Sequence, residues 1–160
     1  MKQLLPALLL VSFAVLLFGS CAKTVQNPVY PSYISVNFNS SMLKTGNLSA
    51  VYSTSQNAIQ LKGWAGDSVN VEVVIQNVGQ GGIADISSGR ASVICTVGPN
   101  IYTATSGNIT ITSFTSKQIT GTFQFSASDA ALVSTNGNTI ESIATATGTN
   151  GTFTTSYVSE

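Results

Sequence analysis

The side chains that could carry out a reaction in this chain are few. The carboxylates are Asp67, Glu72, Asp85, Asp129, Glu141 and Glu160, and no histidine accompanies them. That absence removes Ser-His-Asp, Cys-His and His-metal chemistry together, because no other side chain has an unperturbed pKa near neutrality. A glycosidase needs two carboxylates ~5–9.5 Å apart across one cleft, and no spacing among these six singles out such a pair. No D-x-D-x-D-G run offers the clustered oxygen ligands of a calcium loop. Gly79-Gln80-Gly81-Gly82-Ile83-Ala84 formally matches G-x-G-x-x-A after a strand. A pyrophosphate cradle of that form requires a helix immediately afterwards and an acid ~20 positions on. Gly89 interrupts too soon, and residues 101–105 supply no acid, so the segment reads as a hairpin loop. Catalysis, a cofactor and a bound metal are not expected.

Recognition has one candidate. Trp64, followed by Gly66-Asp67 at a strand end, could stack on a sugar ring while Asp67 binds hydroxyls; the competing reading is a half-buried tryptophan closing one end of the fold. Asp67-Ser68-Val69 resembles the D-S/T-apolar acceptor of a bacterial periplasmic O-glycosylation system, which makes Ser68 a candidate modification site. Zero formal net charge argues against nucleic acid, since phosphate binding needs a basic surface.

The N-terminus carries an address. Met1-Lys2-Gln3 is a short positive start, and residues 4–18 are apolar or small apart from Pro6 and Ser12. This is the pattern of an export signal, and the run is shorter than the ~20 residues that span a bilayer as a helix. It ends in Phe18-Gly19-Ser20-Cys21, which resembles the bacterial lipobox except that leucine is usual where Phe18 stands. The resemblance implies cleavage before Cys21 and acylation of its thiol and new amino group, with Ala22 rather than aspartate implying passage to the outer membrane, facing the periplasm. Two or three acyl chains anchor firmly where one gives marginal binding. The expected organisation is a signal peptide over 1–20, a lipidated N-terminus with a flexible tether over 21–32, and one domain over 33–160. Cys95 then stands alone in the mature chain and reads as a small buried hydrophobe.

Removing the signal changes the composition. Seven of eleven leucines lie in the first 20 residues, leaving four beside 25 valines and isoleucines and 19 threonines. β-Branched side chains pack well on pleated strands and poorly in helices, so the domain should be all-β. Alternation marks strands at 33–39, 47–53, 58–63, 69–76, 83–86, 91–97, 101–105, 108–114, 118–127, 139–147 and 152–158. Turn signals separate them, among them Ser106-Gly107-Asn108, Asn136-Gly137-Asn138 and Thr149-Asn150-Gly151. Residues 127–135 are the one stretch expected to hold a helical turn or longer loop. About ten short strands in consecutive antiparallel hairpins predict a β-sandwich or a flattened up-and-down, lipocalin-like barrel.

Three segments resemble a known family. Gly107-Asn108-Ile109-Thr110-Ile111-Thr112, Ile119-Thr120-Gly121-Thr122-Phe123-Gln124-Phe125 and Asn150-Gly151-Thr152-Phe153 are similar to the C-terminal strands of an uncharacterised family of bacterial envelope lipoproteins, marked by G-x-I-x-I-T, I-x-G-T-F-x-F and N-G-x-F. The N-terminal part departs from that family, which often shows V-N-G and then a tryptophan; here Val36-Asn37 runs into Phe38. The resemblance implies an all-β lipoprotein and carries no activity with it. Read physically, Gly121 leaves room on the inward face for a neighbouring strand or ring, and Phe123 and Phe125 anchor the core.

Two functions from different classes fit. One is a membrane-anchored, non-catalytic envelope domain that binds a protein or a glycan. The other is a lipocalin-like carrier whose interior, lined by Phe38, Ile59, Val73, Phe123 and Phe125, holds a small apolar ligand in a cavity of ~300 Å³ or more.

Overall fold

The computed structural model describes residues 31–135 and 138–160, with side chains for 31–129 and 144–160. The signal segment, Cys21 and most of the tether lie outside the described residues, as do the turn at Asn136-Gly137 and the side chain of Glu141. The strands are β1 (Tyr33–Phe38), β2 (Ser41–Lys44), β3 (Asn47–Ser53), β4 (Ala58–Ala65), β5 (Val69–Gln76), β6 (Ile83–Asp85), β7 (Ala91–Val97), β8 (Asn100–Phe114), β9 (Gln118–Thr135), β10 (Asn138–Ser156) and β11 (Val158–Ser159). No helix occurs among the described residues. The fold is all-β, a single curled sheet ordered β11-β3-β4-β5-β7-β8-β9-β10-β1-β2.

Period-two patterning builds these strands. On β1, Ile34, Val36 and Phe38 point into the core while Tyr33, Ser35 and Asn37 alternate with them. On β5 the buried set is Val71, Val73 and Ile75, and on β7 it is Ala91, Val93 and Cys95. Outward residues form their own cross-strand pairs. Glu72 on β5 faces Lys62 on β4, with a 3.4 Å ion pair, and accepts a hydrogen bond from Gln60 Nε2 at 2.6 Å.

Three strands are longer than the turn signals suggest: β8, β9 and β10 contain 15, 18 and 19 residues. Neither Ser106-Gly107-Asn108 nor Thr149-Asn150-Gly151 turns the chain: the first pairs with β9 just past a β-bulge at Thr105, and the second contains a bulge. Register shifts between Ala104 and Ser106 on β8 and between Gly148 and Gly151 on β10, and pairing resumes on both sides. Asn150 (φ 52°) supplies positive φ inside the β10 bulge, and Gly107 (φ 128°) has positive φ two residues past the β8 bulge at Thr105. Residues 127–135, expected to hold a helical turn or loop, instead complete β9 and pair with β10. The four-residue edge strand β2 was not marked by alternation, because it is largely exposed on both faces.

The sheet curls into a half-barrel that stays open, and the chain itself crosses the seam between its ends. Between β2 and β3 the chain passes through Thr45-Gly46, so one nearly continuous segment pairs with β1 over its first part and with β4 over its second. Thr45 is fully buried at this hand-over. Its N–H donates to Ile34 O at 2.9 Å, and its Oγ1 accepts from the Ile34 N–H at 3.0 Å. One residue on, the Gly46 N–H donates to Trp64 O on β4 at 3.2 Å. The C-terminus makes a second hand-over: beyond β10, β11 lies parallel to β3, pairing Val158 with Val51.

An aromatic series runs through the core. Phe153, Phe123, Phe125, Phe38 and Tyr102 stand in sequence at centroid separations of 6.3, 6.1, 6.3 and 5.1 Å. Three of these rings lie over glycines directly opposite them on the neighbouring strand: Phe153 over Gly121, Phe125 over Gly148 and Phe123 over Gly151. A methyl group on Gly121 would stand 2.6 Å from Thr110 O and 2.7 Å from Phe153 Cε1. Glycine is therefore required there by the ring across from it, the arrangement that lets aromatics cover cross-strand glycines.

Candidate functional site

Among the described residues, the inward side chains expected to line a ligand cavity are packed away from water. A void able to hold a ligand would admit water and leave its lining exposed. Phe38, Ile59, Val73, Phe123 and Phe125 are at most 5% exposed, and Ile59 and Val73 not at all. A second aromatic group, Tyr52, Phe114 and Tyr157, packs with centroids 5.4–5.6 Å apart. The Tyr52 hydroxyl donates to Asn57 Oδ1 at 2.9 Å. Burial, with a smaller contribution from Tyr52, raises the Tyr157 pKa.

The residues singled out from the sequence fall in separate places. Trp64 lies on the outer face of β4, 37% exposed, opposite Asn47 on β3 and Asn70 on β5. Asp67 and Ser68 are exposed in the turn that follows, where the Ser68 carbonyl accepts the Gly98 N–H at 2.8 Å. Among the described residues no hydrogen bond joins Trp64 to Asp67. Cys95 is fully buried, and desolvation pushes its thiol pKa up to about 12. Gly81 and Gly82 belong to the loop before β6, with the Gly81 N–H donating to Ile111 O at 2.9 Å. No helix follows them, so no phosphate cradle forms. Among the described residues no three His, Cys, Asp or Glu side chains stand close enough to hold a metal.

What the strands do assemble is a groove on the outer face of β8, β9 and β10. It is lined by Asn108, Thr122, Gln124, Asn150, Gly151 and Thr152, with the edge of Phe123 beneath, and has a volume of about 440 Å³. Register builds it: Asn108 faces Gln124 across β8 and β9, and Thr110, Thr122 and Thr152 form one row across three strands. Gly107 and Gly148 both pair with Phe125 from opposite sides of β9, with a β8 bulge at Thr105 just beyond the groove and the β10 bulge at Thr149-Asn150 opposite Gln124. All three segments that carry the lipoprotein-family resemblance meet here. Their alternation identified Thr122 and Gln124 as outward residues; Asn150 joins them through the β10 bulge.

The chemistry of the lining is uniform. Three side-chain amides and two hydroxyls face the groove, and no ionisable group is among them. The acid nearest in register is Asp85, opposite Asn108 on β6. Its carboxylate is turned away to accept from the Ser87 hydroxyl and, at 3.0 Å, from the Ser88 N–H, and these bonds hold its pKa below the usual carboxylate value. The next outer row is self-contained. Thr112 Oγ1 donates to Thr120 O at 3.1 Å, Thr120 and Thr154 share a hydrogen bond of 3.2 Å, and Gln118 Nε2 donates to Thr154 Oγ1 at 3.1 Å. The side chains of Asn108, Thr122, Gln124, Asn150 and Thr152 make no such bonds to other described residues. Compared with family models, with curated proteins and with solved structures, the chain matches none.

Proposed function

We propose that this chain is a lipid-anchored protein of the bacterial outer membrane, facing the periplasm, whose β-domain binds a protein or a glycan without catalysing a reaction. The observation that carries the binding half is a filled interior beneath an outer face rich in unpaired neutral polar groups. With those inward side chains packed away from water, the outer face is the surface left for recognition. The anchoring half rests on Phe18-Gly19-Ser20-Cys21 after the apolar run and on the resemblance of the three strand motifs to envelope lipoproteins. The lipocalin-like carrier is the second reading, and the exclusion of water from Phe38, Ile59, Val73, Phe123 and Phe125 weighs against it.

Expression of the full chain in a bacterium fed labelled palmitate tests the anchor. The label should enter the protein and fractionate with outer membrane, and Cys21→Ala should abolish both. Mass spectrometry of molecules co-purifying with the native protein tests the ranking: a stoichiometric apolar ligand would restore the carrier. Hydrolytic turnover of ester, peptide or glycoside substrates would overturn the non-catalytic reading.

A further inference from the structure

We infer that the groove across β8, β9 and β10 binds a neutral, hydroxyl-rich saccharide through Asn108, Thr122, Gln124, Asn150 and Thr152. This deepens the reading of the β-domain as a binding module and rests on it.

Three observations converge. The first is unused hydrogen-bonding capacity in this row, where the row beside it satisfies itself internally. Amides and hydroxyls each donate and accept, which suits sugar hydroxyls that do both. The second is charge. An anionic glycan or phosphate would call for lysine or arginine, and a cationic peptide for carboxylates; the lining holds neither. The third is shape. A volume of about 440 Å³ lies within the ~300–1,000 Å³ typical of ligand sites, and the β10 bulge at Thr149-Asn150 lies directly opposite Gln124.

A peptide fits less well. Extended peptides usually dock by adding a strand to a free sheet edge, with pockets for alternate side chains. Here β9 is paired on both sides, so its main-chain groups are already engaged in ladders. Only side chains are left to bind, and they are short, polar and uncharged.

The test uses the full chain in detergent micelles or nanodiscs, titrated with maltohexaose, cellohexaose and chitotetraose, with a heparin-derived hexasaccharide as the charged comparison, while backbone amide NMR shifts are followed. Saturable shifts at Asn108, Gln124 and Asn150 with a neutral oligosaccharide, and none with the heparin fragment, are expected. Asn108→Ala/Gln124→Ala should weaken binding by roughly tenfold or more, on the order expected for losing two side-chain pairings. An unchanged thermal midpoint would show that the variant is folded, and Thr122→Trp, which fills the groove, should also abolish binding. If neutral saccharide binds but Trp64→Ala removes it while the groove variants do not, this site assignment is overturned and the binding-module reading stands. If no neutral saccharide binds at millimolar concentration, the saccharide inference fails, and the module reading then rests on a protein partner. Preference for the heparin fragment would also overturn it.

Discussion

Phe153 lies across Gly121 from the adjacent strand, its ring filling the space that a side chain on residue 121 would occupy. The same relation recurs between Phe125 and Gly148 and between Phe123 and Gly151, so three rings and three glycines form one interlocked layer between β9 and β10. Each glycine pairs with the phenylalanine opposite it, which pins the register of the two strands. A slip of one residue would drive a ring into a backbone or a β-carbon.

Gly121→Ala is therefore expected to destabilise the domain by about 1–3 kcal/mol, the usual cost of overpacking. That corresponds to a fall in thermal midpoint on the order of 4 °C per kcal/mol. Gly148→Ala should behave alike. Gly46→Ala and Gly79→Ala meet nothing within 4 Å and should change little. Thermal melts of the four variants check this; equal effects at all four positions would mean that the ring-on-glycine layer does not set stability.

The seam gives a second prediction. Thr45 Oγ1 accepts the Ile34 N–H where both are buried, and its side chain fills the space over Gly63, where a Cβ would stand 2.5 Å from Thr45 Oγ1. Thr45→Val keeps the shape and orphans a buried donor, which costs about 1–3 kcal/mol. Thr45→Ser keeps the hydroxyl and loses only a methyl group, so it should cost less. Hydrogen exchange at Ile34 separates the two, accelerating in the valine variant alone.

How much of this was legible beforehand depends on the range of the interaction. The strands around Val71, Val73 and Ile75, and around Val93 and Cys95, follow from alternation because each strand buries one face, and that pattern is local. Gly107 and Asn150 look like turns for an equally local reason: positive φ serves a hairpin and a bulge alike. Which one forms is decided by the neighbouring strand, since Phe125 and Phe123 hold β10 in register past the interruption. The seam at Thr45 joins Ile34 to Gly63 and Trp64, contacts for which the sequence carries no periodic signal. The groove was half legible. Thr122 and Gln124 alternate outward and Asn108 pairs directly with Gln124, whereas Asn150 joins them only because the β10 bulge falls opposite Gln124.

Cys95 predicts a pH dependence. Burial pushes its pKa up to about 12 in the fold, while in the unfolded chain the thiol ionises near ~8.5. The folded state holds the proton more tightly, so this contribution to stability is fully present below the unfolded value and is lost as pH rises toward the folded one. Between pH 7 and pH 10 the native chain should lose more urea stability than Cys95→Ala does over the same interval, the difference cancelling titration of the lysines and tyrosines. In a Cys21→Ala background, a thiol reagent should modify Cys95 only as fast as the protein unfolds.

The C-terminus predicts a change in association. β11 covers the outer edge of β3: the Glu160 N–H donates to Tyr52 O at 2.9 Å, and Glu160 O accepts from the Thr54 N–H at 3.1 Å and from Thr54 Oγ1 at 2.8 Å. Deleting residues 158–160 removes these bonds and bares a seven-residue strand with free ladder groups, a template for pairing with another chain. Stability should drop by roughly 1–3 kcal/mol, at about 1 kcal/mol per hydrogen bond. Light scattering should show concentration-dependent self-association that the intact chain lacks. Lysine at Val51, on the outward face of that strand, should suppress this association in the truncated chain, because a charge on an exposed edge disfavours docking without repairing the lost bonds. A truncated chain that stays monomeric at high concentration would mean that β3 needs no cover from β11.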